Sequence, residues 1–254
     1  TELCAQNRLL VDFHDGPVHP YGQMRTWPNA VTREYCHAQL DGHHVFKPKT
    51  FVTTVFVNMV AGPIDMNNGM FDLRQGHTTR VDESQPVPST LVSEAARTLI
   101  AFSGVTILPD IPEYYRKYPA LLNFLSAQKM PWKESRTLAG EIGEYIVMMR
   151  ETEDAYLVGA ATNESGRTID LPLSFLEKGK YTVEVIEDGD DAHYLTNRES
   201  LKTTTRQLTN NDKLALKLAP GGGACLVIKK TPSMRVGEQA AFPLVSPSWK
   251  IGRE

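Results

Sequence analysis

The sequence predicts an α/β part followed by a small all-β domain. Three observations carry this. Apolar strand-like runs alternate with helix-like stretches over the first half. From Glu144 onward the hydrophobic period falls to two. Short candidate strands in that second half are separated by turn signals: Glu164-Ser-Gly166, Lys178-Gly179, Asp188-Gly-Asp190 and Gly221–Gly223.

The elements follow in chain order. Thr1–Arg8 reads as the last turns of a helix that runs into Leu9–Phe13, an apolar run of the kind a buried parallel strand presents. A start at Thr1 in mid-unit predicts a piece of a longer protein. His14 and Asp15 follow the strand. Residues 16–29 are loop-like, with Pro17, Pro20, Gly22 and Pro28 as breakers. Glu34–His44 is a candidate short helix. Pro48 opens a helix with Phe51, Val55, Phe56 and Met59 on its apolar positions, and Met59–Ile64 is a candidate strand end. Ser89–Ser103 is a helix, capped by Ser89, with Leu91, Ala95, Leu99 and Phe102 at helical spacing. Ile111–Leu125 is helical as well. Tyr145–Arg150, Ala155–Asn163, Thr168–Pro172, Tyr181–Glu187 and Ala224–Lys229 are strands of an antiparallel sandwich. Thr231–Glu254 reads as an irregular tail.

Composition narrows the function classes. The chain has 254 residues, 41% hydrophobic and 22% charged, enough apolar material for a sizeable core. A net charge of −3 and 8% aromatics give no footprint for nucleic acid or for an acidic membrane surface. Cys4, Cys36 and Cys225 are scattered and form no CxxC pair, so neither a disulfide framework nor a thiolate zinc site is indicated. No apolar run is long enough for a membrane span.

The chemistry-bearing residues crowd the start. Five of the seven histidines lie in the first 44 residues, among Asp12, Asp15, Glu34 and Asp41. On a helix, Glu34, His37 and Asp41 would share one face. Three readings compete: a glycosidase-like carboxylate site that also holds a hard cation; a zinc or iron site from His14, Glu34, His37 and Asp41; or solvated loop residues with no chemistry. His14 stands out, because a polar pair directly after an apolar strand sits where active sites of parallel sheets sit. Asp188-Gly189-Asp190-Asp191 lacks the full calcium-loop pattern and reads as a hairpin turn. Trp27 and Trp132 are candidates for sugar stacking, though packing is the commoner use of a tryptophan.

At this point motifs become recognisable. Leu10-Val-Asp-Phe-His14, Arg25-Thr-Trp-Pro-Asn29, Thr32-Arg-Glu34, Ala61-Gly-Pro-Ile-Asp65 with Gly69, Pro131-Trp132, and Ile142-Gly-Glu-Tyr145 resemble, in order and spacing, glycoside hydrolase family 97, the α-glucosidase and α-galactosidase family. Gly159–Asn163, Arg167 and Leu173–Leu176 resemble its C-terminal domain. The resemblance covers about residues 9–230.

The resemblance implies residues 1–130 as the C-terminal part of a (β/α)8 TIM barrel, 131–230 as a β-sandwich domain and 231–254 as the tail. It implies hydrolysis of α-glucosides or α-galactosides, or of oligosaccharides, with bound calcium. His14 would bind sugar and Glu34 would ligate calcium. Asp15 stands where inverting members place a glutamate that is both base and calcium ligand, and where retaining members have a glycine and use an upstream aspartate as nucleophile. The family's general acid lies six residues after the Glu34 position; Leu40 stands there, and Asp41 is the candidate acid. The catalytic set is thus Asp41, Asp15 and Glu34, with Glu34 and Asp15 as metal ligands. The upstream part of the same protein would be the missing partner, and a bacterial periplasm or exterior the compartment. The alternatives are a degenerate family member, or a β-domain that serves carbohydrate binding or oligomerisation.

Overall fold

The computed structural model describes residues 1–14, 23–34, 46–73 and 87–231. The first half holds short elements: α1 (Glu2–Gln6), β1 (Val11–Phe13), α2 (Gln23–Thr26), β2 (Ala30–Arg33) and α3 (Pro48–Val57). β1 and β2 pair in parallel, with Val11 opposite Ala30 and Phe13 opposite Arg33. Arg33 is bridged in turn to Ile64, again in parallel. Three successive segments therefore lie side by side and point the same way, which requires a crossover between each pair.

α3 begins at Pro48, whose missing N–H costs nothing in a first helical turn. Phe51, Val52 and Val55 form its buried stripe. The strand expected over 59–64 is corrected: Asn58–Ala61 is a 3-10 turn, Gly62 at φ 139 ends it, and only Ile64 is paired. α4 (Leu91–Ile100) is shorter than the helix expected at 89–103. Its cap is Thr90, whose Oγ1 accepts the N–H of Ser93 at 3.2 Å, and not Ser89. The helix expected at 111–125 is two, α5 (Pro112–Arg116) and α6 (Pro119–Ala127). Pro119 divides them, since a mid-helix proline removes a hydrogen bond and clashes with the preceding turn.

From Glu134 to Lys230 every strand pairing is antiparallel. The strands are β3 (Glu134–Glu141), β4 (Tyr145–Glu151), β5 (Tyr156–Thr162), β6 (Arg167–Pro172), β7 (Lys180–Asp188), β8 (Leu201–Thr209), β9 (Lys213–Leu218) and β10 (Gly223–Lys230). Six form one sheet in the order β3-β4-β5-β10-β7-β8, and β6 and β9 form a second. One face of the large sheet packs on α4, α3 and α6 through Ile146, Met148, Leu157, Ala161, Cys225 and Val227. The other packs on the small sheet through Val147, Val158, Ala160, Val183 and Leu226. This covering of both faces explains why β4 and β5 are nearly continuous apolar runs, whereas β6 and β9 alternate.

α4 is the hinge of the packing. All ten of its residues are buried, Glu94 and Arg97 included. A side chain at Gly159 on β5 would come within 2.9 Å of the Ala96 carbonyl, so glycine there lets helix and sheet approach closely. Arg150 on β4 donates to the last α4 carbonyls, Nε to Leu99 at 3.2 Å and Nη2 to Ile100 at 3.1 Å. Its guanidinium lies 4.5 Å from the centre of the Trp132 ring, which also packs near Phe102. Trp132 is therefore packed against its own chain.

Candidate functional site

Each of the three parallel segments is followed at once by a polar residue. His14 follows Phe13, Glu34 follows Arg33 and Asp65 follows Ile64. Backbone hydrogen bonds step across them: Glu34 N donates to the Phe13 carbonyl at 3.0 Å and Asp65 N to the Arg33 carbonyl at 2.9 Å. The three side chains so emerge at one edge, the C-terminal ends of the strands. Asp12, inside β1, adds a fourth.

His14 is the centre of this group. Its Nε2 lies 2.7 Å from Asp65 Oδ2 and 3.4 Å from Asp12 Oδ2, while Nδ1 lies 3.7 Å from Glu34 Oε2. The imidazole is the most exposed of the four, at 39%; Asp12, Glu34 and Asp65 are largely covered. Asp65 Oδ1 accepts the N–H of Asn67 at 3.1 Å, which ties the carboxylate into its own turn. The Asn67 backbone has φ 54, a conformation that asparagine tolerates better than most residues.

The electrostatics follow from this crowding. Burial pushes the Asp12 carboxyl up to about 6, aided by its hydrogen bond with Asp65 and by the Asp65 and Glu34 charges, against the pull of His14. Burial pulls the His14 imidazole down, but the Asp65 hydrogen bond and the Asp12, Asp65 and Glu34 charges outweigh it, and the net shift is upward. Both groups therefore hold their protons more tightly than they would in water.

Could the cluster hold a metal? Asp12, His14 and Asp65 each offer one ligand atom, all within 4.8 Å of one another. Asp12 Oδ1 is buried without a hydrogen-bond partner. A carboxylate-rich donor set with an orphaned buried oxygen fits a hard cation such as calcium.

Of the site residues expected from sequence, His14 and Glu34 are brought together. Asp15, Asp41, His37 and the Leu40 position lie outside the described residues. Sequence reasoning names Asp65 only within the Ala61-Gly-Pro-Ile-Asp65 motif and gives it no role; its position directly after a candidate strand end is the signal that marks it. Asp188, Asp190 and Asp191 do not form a calcium loop. Asp188 accepts the N–H groups of Ala219 and Gly223, Asp190 pairs with Lys202 and Lys217, and Asp191 accepts from Asn197 and Ser200.

The chain is similar to known proteins over most of its length. Residues 131–229 match the family model described as glycosyl-hydrolase 97 C-terminal, oligomerisation. A retaining alpha-galactosidase of Bacteroides thetaiotaomicron is 31% identical over 233 residues, 90% of this chain and 35% of that protein. A probable retaining alpha-galactosidase of Streptomyces bingchenggensis is 27% identical, over 86% of this chain and 31% of that protein. A glycoside hydrolase family 97 enzyme from Pseudoalteromonas sp., solved with acarbose, superposes with a TM-score of 0.82 at 29% identity, covering 91% of this chain and 36% of that one. The chain thus spans about a third of the length of these relatives. On these matches residues 131–229 carry the C-terminal domain of glycoside hydrolase family 97, and the chain as a whole is similar to about a third of the length of family 97 proteins.

Proposed function

We propose that this chain supplies the C-terminal share of the active site of a glycoside hydrolase that cleaves α-glycosidic bonds. The observation that carries the reading is the convergence of His14, Glu34 and Asp65 at the C-terminal ends of three parallel segments. In this reading those segments are strands of a (β/α)8 barrel, whose chemistry sits at that end. An upstream part of the kind that the relatives carry would close the barrel and add the remaining carboxylates. The relatives' names favour an α-galactoside as substrate and retention as the outcome; an α-glucoside is the alternative sugar.

His14 is the exposed polar group at the centre and binds a sugar hydroxyl. Glu34 and Asp15 would hold calcium, with Asp12 and Asp65 as neighbouring carboxylates. Bound calcium would supply positive charge near the sugar as the oxocarbenium-like transition state forms. Asp41 is the acid that protonates the leaving oxygen; with retention Asp15 is a calcium ligand and the nucleophile lies upstream, and with inversion Asp15 is the base. In retention, the two reacting carboxyl groups stand about 5–5.5 Å apart, and in inversion about 6.5–9.5 Å. The periplasm or the exterior of a bacterium is the compartment this reading expects.

One observation favours a second reading. Leu40 stands where the resemblance places the general acid, so a degenerate protein whose β-domain serves oligomerisation competes with the enzyme.

The test uses the chain joined to its native upstream coding sequence, with nitrophenyl α-galactoside and α-glucoside as substrates. The expected result is calcium-dependent release of nitrophenol, reduced at least about a hundredfold by Glu34→Gln and by Asp41→Asn. Turnover unaffected by Asp41→Asn would remove Asp41 from the mechanism. No turnover on either sugar, in a folded and calcium-loaded protein, would leave the oligomerisation reading.

A further inference from the structure

We propose that Asp65 is a positioning residue: it accepts the Nε2 proton of His14 and thereby fixes the imidazole with Nδ1 as the acceptor on the side of Glu34. The two flanks of the ring differ in the structure. Nε2 faces two carboxylate oxygens, Asp65 Oδ2 at 2.7 Å and Asp12 Oδ2 at 3.4 Å. The first is a full hydrogen bond and the second lies beyond good hydrogen-bond distance. Neither ionised oxygen can donate, so a neutral ring must carry its proton on Nε2 to satisfy this contact. Nδ1 then has a lone pair and points toward Glu34 Oε2 at 3.7 Å, too far for a direct bond. With the ring neutral, the group that His14 reads is consequently a donor, an O–H, and not a carbonyl or a ring oxygen. This last step rests on the glycosidase reading, in which the ligand is a sugar; the assignment of the proton does not.

Asp65 arrives at the ring already oriented. Its other oxygen accepts the N–H of Asn67 at 3.1 Å. A few residues on, the buried Glu94 carboxylate of α4 takes the N–H groups of Gly69 at 3.1 Å and Met70 at 3.3 Å. Tyr115 donates to the Gly69 carbonyl at 3.1 Å. The loop bearing Asp65 is thus pinned to a helix buried against the large sheet. A neighbour that fixes the tautomer of a functional histidine is a general device, since the hydrogen bond made by one ring nitrogen decides what the other can do.

The test is spectroscopic and needs no activity. The 254-residue chain is labelled with nitrogen-15 in its histidine rings. Two-bond proton–nitrogen correlations are recorded at about pH 9, where imidazoles are neutral. The His14 signals are assigned by their loss in His14→Gln. The wild-type ring is expected as the Nε2–H tautomer alone. In Asp65→Asn the amide oxygen keeps the Asn67 N–H and the amide nitrogen becomes a donor to the ring, so the proton is expected to move to Nδ1. Nδ1–H or a mixture in the wild type would overturn the proposal, and this measurement stands even if the variant does not fold. Retention of Nε2–H in a folded Asp65→Asn chain would overturn it too, by making Asp12 the residue that holds the ring. In the active protein, the same variant is expected to raise KM about tenfold, the worth of one hydrogen bond to a charged or strongly polar partner. A switched tautomer with unchanged KM and kcat would overturn the acceptor role. Complete absence of glycosidase activity would sink the functional reading and leave the tautomer result standing.

Discussion

Asp188 offers a measurement of what the β-domain costs to assemble. Its carboxyl sits at the end of β7, 1% exposed, where Oδ2 accepts the N–H groups of Ala219 at 3.0 Å and Gly223 at 2.8 Å. Burial pushes it up from the ordinary 3.8 to about 6, and hydrogen bonds from Thr90, Ala219 and Gly223 only partly offset this. The folded state therefore binds this proton more tightly than the unfolded chain does. The resulting stabilisation is fully present below about 3.8 and is lost as pH rises through about 6. A rise of that size corresponds to about 3 kcal/mol of preference for the protonated carboxyl. Asp188→Asn keeps an oxygen for the two N–H groups and removes the charge. Unfolding of wild type and variant by urea, followed by tryptophan fluorescence between about pH 3.5 and 7.5, is the assay. The stability of the variant relative to wild type is expected to rise by about 3 kcal/mol across that range, because every other titrating group, Asp12 included, cancels in the difference. A difference that stays flat within about 0.5 kcal/mol would refute the argument that burial governs this carboxyl.

Two further substitutions test the same frame. Gly222→Ala would drive a methyl group into the Asp188 carboxylate and to 2.8 Å from the Ala219 carbonyl, and is expected to destabilise the fold by about 1–3 kcal/mol in the same urea assay. Arg150→Met keeps the bulk but leaves the buried carbonyls of Leu99 and Ile100 without their donors. It is expected to cost about 2–4 kcal/mol and to speed amide hydrogen exchange in α4 more than in β7.

Much of this fold is legible in the residues, and what is not has physical causes. The period-two pattern predicts β4, β5, β6, β7 and β10, each within two residues of its observed ends. The strands expected from it leave out β3, β8 and β9. β8, with Thr203, Thr204, Thr205 and Arg206 exposed, is an edge strand held by backbone pairing to β7, so it carries no apolar signature for a pattern to find. β3 is the opposite edge, interrupted by an irregularity between Thr137 and Ala139. β9 does alternate, with Leu214, Leu216 and Leu218 buried, so its pattern is legible though passed over; what the pattern does not give is its pairing with β6, far away in sequence. At the site, His14 is readable because it directly follows an apolar run, and Glu34 through its spacing to His37 and Asp41 and through the Thr32-Arg-Glu34 motif; the short strand before Glu34 is not readable. Asp65 is readable only in part: it closes the Ala61-Gly-Pro-Ile-Asp65 motif after a candidate strand end, but that strand is one paired residue long, and the bridge to Arg33 is what sets Asp65 beside His14.

The same reasoning explains why a site at one end of the described chain depends on the sheet that follows it. The loop bearing Asp65 is held to α4, and through α4 to that sheet, by side chains. Glu94 reads the backbone of Gly69 and Met70 on one side and takes Arg97 Nη1 at 3.0 Å on the other. Both side chains are fully buried. A buried ion pair of this sort adds little net stability over an apolar pair, but removing one member strands the other at a cost of about 3–5 kcal/mol. Its value is positional. It converts the close packing of α4 on β5 and β10 into a fixed height for the loop, and the loop sets the Asp65 carboxylate against His14. The antiparallel sheet thus bears on the site through α4, which packs on the sheet and holds the loop.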